Sequence, residues 1–167
     1  MKPPLTLEQQ AKTHLILGKS AIHASSIATI NLIYDLVARP VYLKPLREEV
    51  NQIWEETFRI LDEKAMSKLN KLDSFLKELQ RLNSAAHITF DRQITNRKSF
   101  TLKNGLHLPN GSHYAVSASL IARDPKNWHS LDEFDGFRFA KLRDQEGQQH
   151  KYQCVTTNST HSMAFGH

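Results

Sequence analysis

Cysteine is almost absent: Cys154 stands alone among 167 residues, which rules out an intramolecular disulfide framework and fits a reducing, cytoplasmic compartment. A block of one charge is also missing. Lys and Arg outnumber Asp and Glu by 22 to 17, giving a pI near 9.4, but the two signs are interspersed. No nucleic-acid recognition motif accompanies that excess, so a nucleic-acid partner is not expected. The opening Met1-Lys2-Pro3-Pro4 has no apolar run behind it of the signal-peptide kind. The histidines form no His-x-x-x-His or comparable spacing, and Cys154 has no glycine near it, so no metal site is expected from either. No internal repeat is visible.

What is present is an ordinary globular composition, 40% apolar and 23% charged, in a chain long enough for one domain with a real core. The segment from about Leu7 to Ala38 is apolar on nearly every face. That is the pattern of a long helix through the middle of a larger protein. Its most apolar part, Leu15 to Val37, has the length of a membrane span, but it carries Lys19, His23, Asn31 and Asp35. Each would be expensive in hydrocarbon, so a buried helix is expected and no membrane span. Arg39-Pro40 is a credible stop, because proline lacks an amide donor and disfavours helix in the residue before it.

A second helix is expected from about Leu46 to Leu61, with Leu46, Val50, Ile53, Trp54 and Phe58 on one stripe. A third helical region is expected from about Glu63 to Leu82, with a break near Asn70. The pattern then changes. Short β-branched and aromatic stretches within 86–119, punctuated by Asn104-Gly105 and Pro109-Asn110-Gly111, predict a small hairpin sheet. From Asp124 to the end of the sequence, loop chemistry dominates, an irregular length of the kind associated with functional or cofactor-facing segments. The expected class is mainly α with a small antiparallel β-hairpin sheet (α+β), in one domain over 1–167.

Glu78 and Arg81 are three apart on the third helix and share a face. Alone the pair means little, since Glu56 and Arg59 repeat the spacing and such pairs are usually solvated. The order of the motifs downstream is the signal. Arg92 comes eleven residues later, then the hairpins, Ala122-Arg123-Asp124-Pro125 with Trp128, Glu133-Phe134-Asp135-Gly136-Phe137-Arg138-Phe139, and Phe165-Gly166-His167.

This order resembles the cytochrome P-450 family of haem-thiolate monooxygenases, in its fungal secondary-metabolism form, across nearly the whole sequence. The resemblance implies a partial P-450 fold from the central helix to the start of the haem loop. It matches Glu78 and Arg81 to the family's helical pair, and Arg138 to the arginine that completes a charge cluster with them. Gly136 stands where the family commonly has proline. Arg92 matches the arginine that binds a haem propionate, and Phe165 opens the haem loop. By that alignment the iron-ligand cysteine falls five residues past His167, which reads as a fragment lacking its ligand and inactive by itself.

In the long helix, Ser20-Ala21-Ile22-His23-Ala24-Ser25 matches the proton-delivery signature, with His23, Ala24 and Ser25 as degenerate positions. The alcohol position is Ala24, which cannot donate, and Ser25 is turned about 100° around the helix. Ala21, Ala85, Ala86 and His87 match substrate-pocket positions. The implied cofactor is haem, and the implied partners are an NADPH-dependent reductase and an apolar small molecule such as a terpenoid. The family is anchored to the endoplasmic reticulum. A rival reading is a non-catalytic helical interaction protein whose apolar first helix docks on a partner; it accounts for the apolar helix but not for the ordered motifs.

Overall fold

The structure is a computed structural model that describes residues 4–84, 87–95, 99–154 and 163. The first helix, α1, spans Leu7–Ala38. Thr6 opens it with a capping box: its hydroxyl accepts from the Gln9 N–H at 3.3 Å, while the Gln9 side chain accepts from the Thr6 N–H at 2.9 Å. Arg39 ends it, and a 3-10 turn at Pro40–Tyr42 leads into α2, Leu43–Glu56. Asp35, the one buried residue of α1, ties the corner together by pairing with Arg39 and accepting from the Asn83 amide at 3.3 Å.

The rest of α1 departs from the expectation of burial. Leu15, Ile16, Ile22, Ile33 and Val37 are exposed, because no other described segment lies along them. By length and composition alone this helix also passes as a membrane span.

The second helix both starts and stops earlier than expected. Its end is a Schellman turn: the Phe58 N–H donates to the Glu55 carbonyl and the Arg59 N–H to the Trp54 carbonyl. Phe58 takes the left-handed position with φ 53°, where glycine is usual, so the stop carries no glycine signal. Phe58 therefore leaves the apolar stripe and is 90% exposed, while Leu46 and Ile53 remain buried.

The third region divides into α3, Glu63–Met66, and α4, Asn70–Leu82. Asp62 caps the short helix through the Ala65 N–H. Leu69 has no capping side chain, and α4 is capped from across the core instead. Both oxygens of Glu49 on α2 accept backbone N–H groups, from Lys71 at 2.8 Å and Leu72 at 2.9 Å. A carboxylate there also complements the positive end of the helix dipole. Ile53, Ala65 and Leu69 form the core where α2, α3 and α4 meet.

The β region holds two antiparallel pairs. The outer pair joins β1, Ile88–Gln93, to a returning strand at His113–Ser117, with a bulge between Thr89 and Arg92. Between them in sequence lies a hairpin of β2, Phe100–Thr101, and β3, His107–Leu108; the returning strand is β4. Gly105 and Gly111 turn the chain at φ 88° and 85°, the left-handed geometry both turns require.

Two short helices follow. α5 spans Ala118–Ile121, and α6, Arg138–Arg143, lies inside the stretch expected to be irregular. α6 forms because Ser74 on α4 caps it: its hydroxyl accepts from the Phe139 and Ala140 N–H groups at 3.1 and 3.0 Å.

Candidate functional site: a buried charge cluster under an aromatic cage

The apolar face of α4 places Ser74, Phe75, Glu78, Leu79 and Arg81 inside the protein. Glu78 is fully buried, and an isolated carboxylate there would cost several kcal/mol. It is instead surrounded by donors. Arg81 approaches in a fork, Nε to Oε2 at 2.8 Å and an η nitrogen to Oε1 at 2.9 Å. Arg138, the first residue of α6, reaches the same carboxylate with Nε at 3.2 Å from each oxygen. The Asp135 N–H adds a further donor at 3.1 Å.

Two guanidinium groups on one carboxylate leave one positive charge in excess, and backbone carbonyls absorb it. Arg81 donates to Ala122, Leu131 and Glu133; Arg138 donates to His129, Ser130 and Glu133. The cluster thereby pins the chain from 122 to 138, which has few backbone ladders of its own, onto α4. The competing pair does not form. Arg59 lies 3.6 Å from Glu55 rather than Glu56, with both side chains exposed.

An aromatic cage covers the cluster. Tyr42, Phe75, Phe134 and Phe137 make edge-on contacts with ring centroids 5.0 to 5.8 Å apart, and Arg39 stacks over Phe134 at 4.2 Å. Gly136 sits against two of these rings. A Cβ there would meet Phe75 at 2.7 Å and Tyr42 at 2.9 Å.

The remaining predicted positions are scattered. Arg92 on β1 keeps an exposed guanidinium whose near neighbours are the Asp91 carbonyl at 3.0 Å and the Phe90 ring. His23, Ala24 and Ser25 lie on the open face of α1. The Ser25 hydroxyl is already committed to its own helix, at 2.8 Å from the Ala21 carbonyl. His87 is exposed just before β1. Ala85, Ala86 and Phe165 lie outside the described residues.

A model of the family described as Cytochrome P450 matches residues 2–167. The chain belongs to the cytochrome P450 family. It is 42% identical over 158 residues to the cytochrome P450 monooxygenase BOA4 of Botryotinia fuckeliana, covering 95% of this chain and 31% of that protein. It is also 42% identical to the cytochrome P450 monooxygenase prx8 of Penicillium rubens, covering 97% of this chain and 30% of that one. An ent-kaurene oxidase of Gibberella intermedia is 37% identical, covering 96% and 30%. The chain thus spans somewhat under a third of the length of these curated relatives. Among solved structures, a zebra fish cytochrome P450 with abiraterone shares the fold at a TM-score of 0.58, covering 67% of this chain and 27% of that one at 22% identity. A partial P450 fold is therefore present, in a family that uses haem.

The described residues fit haem unequally. Arg92 offers an exposed guanidinium suited to a propionate. Cys154 does not suit iron. Its thiol is pushed up to about 11, first by burial and then by the Asp73 carboxylate, whereas an iron ligand must be a thiolate. Among the described residues no cluster of His, Cys, Asp and Glu suits a metal ion.

Sequence reasoning misses three groups that shape this region: Tyr42, Ser74 and the Asp73–Arg143 pair. Each acts on a partner at least 60 residues away, so no local spacing announces it.

Proposed function

We propose that residues 1–167 form a single partial P450 domain belonging to a monooxygenase that oxidises an apolar, terpenoid-like secondary metabolite. The observation that carries this reading is the burial of Glu78 between Arg81 and Arg138, formed by the residues that the family motifs select. The ent-kaurene oxidase relative supports the substrate class. Haem would supply the oxidation, with electrons from an NADPH-dependent reductase in the family's usual endoplasmic reticulum setting. In this reading the chain's own residues have narrower tasks. Arg92 would hold a propionate; Ala21, Ala85, Ala86 and His87 would shape the pocket; His23, Ala24 and Ser25 would occupy the proton-delivery stretch; Phe165 would open the haem loop.

We further infer that these 167 residues alone do not form a thiolate-ligated haem, because Cys154, their one thiol, has no glycine beside it in the sequence and is held half-buried against α4 through its N–H by the Asp73 carboxylate, whose charge opposes a thiolate there. The experiment is to add haem to the purified chain, reduce it, and admit carbon monoxide. The expected spectrum lacks the red-shifted Soret band of thiolate ligation. A red-shifted band abolished by Cys154→Ser would overturn the inference and make Cys154 the ligand.

A further inference from the structure

A second group of charges gathers between α4 and α6, with partners separate from those of Glu78. Lys77 is 3% exposed and donates from Nζ to the Gln153 carbonyl at 2.7 Å. Asp73 accepts from the Cys154 N–H at 3.0 and 3.1 Å to its two oxygens. Arg143, 6% exposed at the end of α6, pairs with Asp73 and donates to the Asn70 carbonyl at 2.6 Å. Lys77 and Asp73 thus hold the backbone of two consecutive residues 76 and 81 positions further along the chain, and Arg143 holds Asp73 in place.

Burying Lys77 is costly, since desolvation lowers its pKa from the ordinary lysine value. The bonds that Lys77 and Asp73 make to residues 153 and 154 go to main-chain atoms. Backbone-directed buried charges fix where a chain passes and not which side chains it carries. Cys154 lies eleven residues before Phe165, the residue matched to the opening of the haem loop.

We propose that Asp73, Lys77 and Arg143 are positioning residues: a clamp, separate from the Glu78 cluster, that fixes residues 153 and 154, ahead of the haem loop in sequence, against the α4–α6 core. The functional half of this inference rests on the P450 reading, while the clamp itself is a matter of local geometry.

Cys154, the chain's only thiol, reports on the clamp directly. In the 167-residue chain, the rate of its reaction with a disulfide reagent is measured for Lys77→Met and Arg143→Met, with Val50→Ala in the α2 core as a control for general loosening. Electrostatics and clamp release act in opposite directions here. Both cations lower the thiol pKa, so their loss alone slows the reaction, whereas freeing residues 153 and 154 speeds it.

The expected result is at least a tenfold acceleration in both variants and less than threefold in the control. In parallel, the Cys154 amide should exchange at least tenfold faster with deuterium while the Asp135 amide, held by Glu78, keeps its protection. Slower or unchanged thiol reaction, or equal acceleration in Val50→Ala, overturns the proposal. Should Arg143→Met fail to fold, Lys77→Met, which leaves the Asp73–Arg143 pair in place, still decides. Product formation by a full-length enzyme carrying this segment tests the P450 reading separately, because neither thiol rate nor amide exchange in the 167-residue chain depends on haem.

Discussion

The Gly136 N–H donates to the Tyr42 hydroxyl at 3.1 Å, joining the turn after α1 to the turn before α6 across 94 residues of sequence. This contact explains why glycine is workable where the family commonly has proline. Proline has no N–H to give, and the tyrosine hydroxyl would lose its donor. Tyr42 in turn forbids anything larger, because its ring occupies the space a Cβ would need. Tyr42→Phe should destabilise the chain by about 1 to 3 kcal/mol, the cost of a buried N–H left without an acceptor. Gly136→Ala should cost a similar amount through overpacking against Phe75 and Tyr42. Urea unfolding of the two single variants and the double variant checks both. The double should cost less than the sum, since each change removes part of what the other disturbs.

Removing the charge at Glu78 leaves Arg81 and Arg138 facing each other in a dry site. Glu78→Gln is expected to cost about 3 to 5 kcal/mol, the range for breaking one side of a buried ion pair. Glu55→Gln, which removes the exposed partner of Arg59, should stay within about 0.5 kcal/mol. Equal effects on the denaturation midpoint would contradict the central place given to Glu78.

How much of this is legible in the sequence depends on how local the deciding contacts are. The long α1 is readable from its apolar run and the Arg39-Pro40 stop, both contiguous in sequence. Its exposure is not, because burial depends on what lies alongside a helix rather than on its composition. The Glu78, Arg81 and Arg138 grouping is visible through motif order, although a spacing of three also selects Glu56 and Arg59, which do not pair. The end of α2 is displaced from its expected place because Phe58 occupies a left-handed position where glycine is the usual residue. α6 has no local signal because its cap, Ser74, lies 65 residues upstream, and Glu49 is invisible as a cap on α4 for the same reason.

That remote capping has a measurable consequence. Ser74 is fully buried, and its one oxygen serves two N–H groups at the start of a six-residue helix too short to stand alone. Ser74→Ala should therefore cost about 1 to 2 kcal/mol. The loss should be local: amides of α6 should lose exchange protection well before those of α2. Uniform loss across both helices would show that Ser74 acts through general packing and not as a cap.

On the proposed function, a full-length enzyme carrying this segment should form more product per NADPH consumed with Ala24→Thr. Ser25 is not an automatic replacement, because it is turned around the helix and its hydroxyl donates to the Ala21 carbonyl. An unchanged ratio would show that another donor already serves and that alanine at 24 is no defect.

The half-buried thiol of Cys154 sets a pH dependence of its own. Burial, followed by the Asp73 carboxylate, lifts its pKa from 9.0 to about 11, with Lys77 pulling the other way. With so little thiolate at neutral pH, alkylation by iodoacetamide should be slower by on the order of a hundredfold than at an unstructured thiol. Stability responds to the same shift. A group whose folded pKa is raised favours its protonated form in the native state, so its contribution is complete below about 9 and is lost as pH rises through about 11. Lys77, with its pKa lowered by desolvation, contributes in the opposite sense, gaining stability as pH rises toward 10.5. Comparing the chain with Cys154→Ala isolates the thiol. Their difference in unfolding midpoint should be constant from about pH 6 to about 8.5 and should shrink steadily between 9 and 11. A flat difference across that window, or alkylation at the rate of a free thiol, would mean that Cys154 is solvated and that Asp73 does not hold its backbone against α4.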